Sequence, residues 1–416
     1  MAPPRLGVAL LVSCLPSAPS LVTVADGPAL SAGSGPHRQE LRSTDGYEQY
    51  KGSLKMGGQP LQGVMDTGSS ELVVISDKCG GFLCPEDTYH AGESRSYRQG
   101  AEEQTLRYSG GGFRAVEAYD DLELGPFQAP SARFWEVTSS SMNLMMYGEF
   151  SFIAGLGPYS RVAGTRQAPD HKAVLSKLLP IMTFSICLGQ EREDSVGYIV
   201  WNDDAHSSSP GLFHRLTTKQ STHWMISLKN VRIGDRTIAC GSGCAAIPDS
   251  GTALLSMPSD AVRALSAEAE GWHLASACEG VDLHRYPRLN FQLDGVEHSL
   301  PPSAYMGDVM REDMSSTCQP SVMEMNMTSD HGDVWVLGMP FFREYYALFV
   351  QGASGRSPEV HTAAADRACR PSAAGGGARL RVEAERGAGA RALNLSRLRP
   401  MPWLQAAMAR GRLEED

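Results

Sequence analysis

Two short segments of the chain carry the same chemistry: Val64-Met65-Asp66-Thr67-Gly68-Ser69 and Ile247-Pro248-Asp249-Ser250-Gly251-Thr252. Each sets one acid at the head of an Asp-[Ser/Thr]-Gly-[Ser/Thr] tetrapeptide, after an apolar run. The two acids lie 249 − 66 = 183 residues apart, one in each half of the sequence. With ordinary residue usage, one such tetrapeptide arises by chance in roughly one chain of this length in fifty. Two with matching flanks point to a duplicated carboxylate, the minimum equipment for general acid–base work on a bound water.

The 416 residues suffice for two lobes with their own cores. A net charge of −10 argues against nucleic acid as the main partner, because a phosphate backbone demands a basic face. Residues 1–25 read as a secretory signal: Arg5, then the apolar run Leu6–Leu15, then Pro16, Ser17, Ala18, Pro19 and Ser20. No other apolar run approaches the ~18 residues that cross a bilayer, so no membrane span is expected. The expected location is the secretory pathway, either outside the cell or in an acidic vacuole or lysosome-like compartment.

Nine cysteines fit that route. Cys79 and Cys84 follow the first acid motif, Cys240 and Cys244 precede the second, and Cys278 and Cys318 enclose a longer loop. Six cysteines admit many pairings; closure between nearest neighbours is the simplest and gives three local disulfides. Cys14 falls in the signal, Cys187 in an apolar strand and Cys369 in the tail. No Cys-x-x-Cys or histidine cluster accompanies them, so neither a metal nor a cofactor is expected.

Residues 26–45 read as a linker or short propeptide. From Tyr47 onward, runs rich in Val, Ile, Tyr, Phe and Leu alternate with Gly-rich turns: Glu71–Ser76, Phe113–Leu124, Gly197–Trp201, Met225–Ile233 and Val334–Leu337. The pattern predicts an all-β body with few short helices, at Ser259–Glu270 (stopped by Gly271) and Asp170–Leu179 (ended by Pro180). An N-terminal β lobe over 46–195 would hold the first Asp, and a C-terminal β lobe over 196–352 the second. Residues 353–416 hold eleven Arg against seven Asp or Glu and read as a disordered Ala/Gly/Arg-rich tail.

An Asp at a sharp turn followed by a hydroxyl residue and Gly has a physical logic. Gly68 and Gly251 let the backbone turn tightly, and Thr67, Ser69, Ser250 and Thr252 offer hydrogen bonds that orient carboxylates. If the two turns meet, like charges resist double ionisation and one proton is shared. One carboxylate then activates a water while the other donates to a carbonyl oxygen. That hydrolyses an amide with no metal and no covalent intermediate.

On these residues, residues 47–350 resemble a pepsin-like aspartic endopeptidase. Tyr50-Lys51-Gly52 through Gly58-Gln59-Pro60 is similar to the mature start of that family. Asp66-Thr67-Gly68-Ser69-Ser70 is similar to its first catalytic loop, and Tyr108-Ser109-Gly110-Gly111-Gly112 to the flap that closes over substrate. Phe152-Ile153-Ala154-Gly155-Leu156-Gly157 and Val336-Leu337-Gly338-Met339-Pro340 resemble the apolar-apolar-Gly strands behind the two loops, and Phe184–Leu188 the strand near the lobe junction. The resemblance implies a two-lobed fold with Asp66 and Asp249 as the dyad. Thr67 and Ser250 would bond across the two loops, and Ser69 and Thr252 would contact the outer carboxylate oxygens. Tyr108, with Ser109 and Gly110, would shape the cleft. A monomer cleaving extended peptides at acidic pH is implied, with zymogen processing.

Several positions depart from that pattern. Val73 stands where the family often carries a Trp that bonds the flap Tyr. Pro60–Asp66 reads short for the strand entering the first loop, and Pro248 removes a backbone donor just before Asp249. An apolar closing strand after Val350 is hard to see, Gly355–Thr362 being a poor substitute. These departures feed the alternative of a protease-like binding or inhibitor protein that has lost turnover. Glycoside hydrolysis by two carboxylates is a third reading, which the paired Asp-[Ser/Thr]-Gly loops argue against. Asn326-Met327-Thr328 and Asn394-Leu395-Ser396 are glycosylation acceptors in a secreted chain, and Trp224 is expected in the second lobe.

Overall fold

The computed structural model describes residues 35–44, 49–80, 83–85, 88–108, 111–141, 150–158, 175, 179–189, 195–219, 223–272, 274–310, 316–352 and 357–373. The fold is built of strands in two main sheets, with few short helices, in the two-lobed arrangement expected from sequence. The longest described helix is Ser259–Ala269, with Ala261, Leu265 and Ala269 buried at helical spacing. The expected Asp170–Leu179 helix lies outside the described residues except for Leu175 and Leu179, and residues 1–25 and Asn394 lie outside them altogether.

A 14-stranded sheet holds the first half of the chain. It runs from Arg98–Tyr108 through Gly111–Leu124, Phe127–Ser140, Leu72–Gly80, Phe152–Gly155, Gln59–Asp66 and Gln49–Met56 to His37–Thr44. It then continues through Val196–Trp201, Thr183–Cys187, Tyr345–Val350, Glu359–Ala365 and His214–Thr217, with the short strand Pro371–Ser372 paired to Glu359–Ala365 as the fourteenth. A nine-stranded sheet holds the second half, centred on Ile226–Ile233, Cys244–Pro248 and Gly332–Leu337. The first sheet thus recruits strands from beyond residue 196, and the two halves do not part cleanly there.

Two terminal segments correct the reading from composition. His37–Thr44, within the segment read as a linker or short propeptide, is a strand paired to Val196–Trp201 on one side and Gln49–Met56 on the other. It is polar because its place is held by backbone ladders on both sides, with Leu41 as its buried anchor. Glu359–Ala365, within the expected disordered tail, is a closing strand between Tyr345–Val350 and His214–Thr217. Its run of small residues reads as low complexity, but Val360, His361, Thr362, Ala363 and Ala364 are all buried.

Cys79–Cys84, Cys240–Cys244 and Cys278–Cys318 are bonded, and a fourth disulfide joins Cys187 to Cys369 across 182 residues of sequence. Trp224 is not confined to the second lobe. Its indole N–H donates to the Leu156 carbonyl at 2.9 Å, and its ring packs on Phe184 and Phe349, which are partners in the first sheet.

Candidate active site

Each acid motif leaves the end of a strand in a parallel pair. Gln59–Asp66 runs beside Phe152–Gly155 with Asp66 opposite Gly155; Cys244–Pro248 runs beside Gly332–Leu337 with Pro248 opposite Leu337. The first of these strands is full length, eight residues, so the entry to the first loop is not short. Pro248 breaks nothing: its carbonyl accepts a hydrogen bond from Thr67 Oγ1 at 2.9 Å, and the Asp249 amide resumes the ladder to the Leu337 carbonyl at 3.0 Å.

The loops after the acids are pinned in the same way. Gly157 N donates to the Ser69 carbonyl and Met339 N to the Thr252 carbonyl, both at 2.8 Å. Gly155 and Gly338 permit that approach, since a Cβ on Gly155 would lie 2.5 Å from the Glu71 amide nitrogen, and one on Gly338 would overlap the Thr252 and Leu254 carbonyls.

The two loops face each other. A Cβ on Gly251 would come within 2.5 Å of Asp66 Oδ1, and one on Gly68 would overlap the Asp249 carboxylate. Each carboxylate is oriented by its own loop. Gly68 N donates to Asp66 Oδ1 at 2.9 Å and Gly251 N to Asp249 Oδ1 at 2.8 Å. Ser69 Oγ donates to Asp66 Oδ2, and Thr252 Oγ1 to Asp249 Oδ2 at 2.7 Å. Asp66 is buried and Asp249 half-buried. Burial first, then the charge of Asp249 and a hydrogen bond shared with it, push the Asp66 carboxyl well above its usual range, against the pull of Ser69 and Gly68.

Residues 49–356 match the family model described as eukaryotic aspartyl protease. The chain belongs to that family. It is 25% identical to pepsin A of Bos taurus over 313 residues, spanning 73% of this chain and 82% of the relative. It is 27% identical to napsin-A of Mus musculus over 328 residues, 76% of this chain and 78% of the relative. It is 26% identical to renin-2 of Mus musculus over 313 residues, 72% and 77% of the respective chains.

In this aspartyl protease family member, Tyr108 ends the strand Arg98–Tyr108 and pairs with Gly111 across the hairpin; Ser109 and Gly110 lie outside the described residues. Its ring meets Phe113 edge-on at 5.8 Å. Burial, then the charges of Asp66 and Glu71, push its phenol up, so it stays protonated. Sequence reasoning left Val73 without an indole. The structure puts one beside it: Trp135, on the neighbouring strand, is the register partner of Val73. Its Nε1–H donates to Glu71 Oε2 at 3.1 Å. Neither residue was singled out from sequence, because the pairing of Leu72–Gly80 with Phe127–Ser140 is set by the sheet and not by local spacing.

Proposed function

We propose that this protein is an aspartic endopeptidase in which Asp66 and Asp249 share a proton and activate a water for attack on a peptide bond. The observation that carries this is the mutual approach of the two loops, with each carboxylate held by one amide and one hydroxyl of its own loop. A singly protonated pair supplies a base for the water and an acid for the carbonyl oxygen in one step. It works in acid, since both groups ionise as the pH rises. The substrate is an extended peptide entering between the lobes under Tyr108. Four disulfides support folding in the secretory pathway, consistent with a cleaved signal at 1–25, removal of an N-terminal prosegment and glycosylation at Asn326.

The test is cleavage of a denatured protein from about pH 3 to about pH 7, comparing the wild type with Asp249→Asn, with and without a statine-type inhibitor. Acid-optimal cleavage that disappears in the variant and under inhibitor supports the reading. No cleavage by folded, processed protein at any pH overturns it in favour of a binding protein on the same fold.

A further inference from the structure

The strand Arg98–Tyr108 carries an irregularity below its tip. It pairs Gln99 with Ala118 and Glu103 with Val116 on Gly111–Leu124, so three residues, Gly100, Ala101 and Glu102, stand against one, Glu117. The Glu117 side chain fills that bulge. It is 10% exposed, and its Oε2 accepts from the Ala101 amide at 3.1 Å. A Cβ on Gly100 would lie 2.3 Å from the same oxygen, so only glycine lets the backbone settle there. Glu117 Oε1 accepts from the Tyr119 hydroxyl at 2.8 Å and lies 2.7 Å from Arg133 Nε. Arg133 Nη2 also donates to Glu102 Oε2 at 2.9 Å, and Arg98 lies over the Tyr119 ring at 3.9 Å. Burial raises the Glu117 pKa, but the hydrogen bonds from Tyr119 and Ala101 and the charge of Arg133 outweigh it and hold the carboxyl below its usual range.

Such a bulge is a choice of register. Side chains alternate with a period of two and the bulge adds two residues, so a ladder without it would keep every side chain on its own face. That continuous ladder would set Gln104 against Phe113 and Leu106 against Gly111, and Tyr108 would leave the strand for the turn. In the observed register Leu106 is buried opposite Phe113, and Tyr108 ends the strand opposite Gly111, where the charge of Asp66 acts on its phenol. Burial of Leu106 favours the bulge, and the regained ladder bonds favour its loss. The Glu117 carboxylate supplies the acceptor that the bulged Ala101 amide does not find in the ladder.

We propose that Glu117 is a positioning residue, whose carboxylate holds the bulge at Gly100, Ala101 and Glu102 and so sets the register that ends the strand at Tyr108, opposite Gly111. The use of Tyr108 over a bound peptide rests on the proposed function; the register does not.

Cross-strand cysteine pairs read the register. Thr105→Cys with Arg114→Cys joins partners of the observed register, and Glu103→Cys with Arg114→Cys joins partners of the continuous one; all three side chains are exposed. A two-residue slip moves a partner by ~7 Å, beyond the reach of a disulfide. After oxidation and digestion, the linked peptides are identified by mass. With Glu117 present, the first pair alone should link. Glu117→Val should reverse the preference, and Glu117→Gln should keep it, because its amide oxygen still accepts from Ala101. Deleting Gly100 and Ala101 from Glu117→Val should restore the first pair, which a mere loss of packing would not allow. Affinity for a statine-type peptide, measured by calorimetry without the added cysteines, should fall on the order of tenfold in Glu117→Val and recover with the deletion. If Glu117→Val does not fold, recovery of folding on deletion is the same rescue. The first pair persisting in Glu117→Val, a deletion that rescues nothing, or an affinity that ignores the change of register overturns the inference. A wild type that binds no statine peptide would sink the cleft of the proposed function, and the cross-links would still decide the register.

Discussion

The Thr67 amide donates to Ser250 Oγ at 3.2 Å, and the Ser250 amide donates to Thr67 Oγ1 at 3.0 Å. Each hydroxyl then donates onward into the opposite half: Thr67 Oγ1 to the Pro248 carbonyl at 2.9 Å and Ser250 Oγ to the Met65 carbonyl at 2.6 Å. Four buried bonds thus tie the strand ends that carry Asp66 and Asp249. The reciprocity fixes the distance between the two strand ends and so between the two carboxyl groups.

Breaking one side of this exchange strands the partners on the other. Thr67→Val keeps shape but leaves the Ser250 amide and the Pro248 carbonyl buried without that partner. The expected loss is about 1–3 kcal/mol of unfolding free energy. Thr67→Ser should restore most of it. In a cycle with Ser250→Ala, a coupling near or above 1 kcal/mol is expected for directly contacting groups. Denaturant unfolding measures both; additive losses would show that the two loops are held independently. In cleavage assays the same variants should lower kcat more than they raise KM, since the bonds orient the acids and touch no substrate.

The closing strand Glu359–Ala365 is followed by Cys369, bonded to Cys187 at the end of the strand Thr183–Cys187 in the same sheet, and Arg38 donates to the Ala368 carbonyl at 2.5 Å. A cross-link over so long a loop restricts the unfolded chain by up to about 5 kcal/mol on the chain-entropy account. Replacing Cys187 and Cys369 together with Ala should lower the melting temperature by several degrees and expose the segment after Val350 to limited proteolysis. Unchanged melting and an intact segment would show that the strand ladders alone hold this edge.

The helix Ser259–Ala269 begins after Pro258, which offers no side-chain cap. A residue distant in sequence supplies one instead: Asn326 Oδ1 accepts from Ser259 N at 3.0 Å. Asn326→Ala should cost about 1 kcal/mol, a usual value for loss of an N-cap, and Asn326→Asp should be nearly neutral. Chemical unfolding of the two variants tests this; equal losses would assign the effect to Asn326 Nδ2, which donates to Ser259 Oγ.

The acid motifs, the apolar strands behind them at Phe152–Gly155 and Gly332–Leu337, and the three disulfides between successive cysteines are legible because each is a local signal: a tetrapeptide, an apolar run, a pair of neighbouring cysteines. What escaped depends on contacts between distant segments. His37–Thr44 and Glu359–Ala365 hold their places through ladders to both sides, so their side chains need not alternate. Cys187 and Cys369 become neighbours only once the sheet has closed. Pro248 looked like a defect because its missing N–H is visible in sequence, whereas the Thr67 hydroxyl that uses its carbonyl comes from the other half of the chain. Trp135 beside Val73 is the same case, since no spacing rule gives the register of two strands so far apart.

One buried group and one half-buried group near the closing strand set opposite dependences of stability on pH. His298 is enclosed by Phe291, Phe341 and Tyr345, with Nδ1 near the Val296 carbonyl and Nε2 near Thr362 Oγ1. Burial first, then the neighbouring His214, lower it from 6.5 to about 4. A histidine that folding keeps neutral contributes its stability above its unfolded value and loses it as the pH falls through the folded one. Glu344 is pushed from 4.5 up to about 7 by burial, against the attraction of Arg288 and Arg343. A carboxyl that folding keeps protonated contributes below its unfolded value and loses that contribution as the pH rises through the folded one. Each shift corresponds to at most about 3 kcal/mol. Between pH 4.5 and 6.5 the two slopes oppose each other and largely cancel. Removing either should therefore expose the other: Glu344→Gln should melt at falling temperature as the pH drops through this window, and His298→Gln as it rises. Melting curves across the window for the wild type and both variants measure this. Parallel profiles in all three would show that neither group changes its proton affinity on folding.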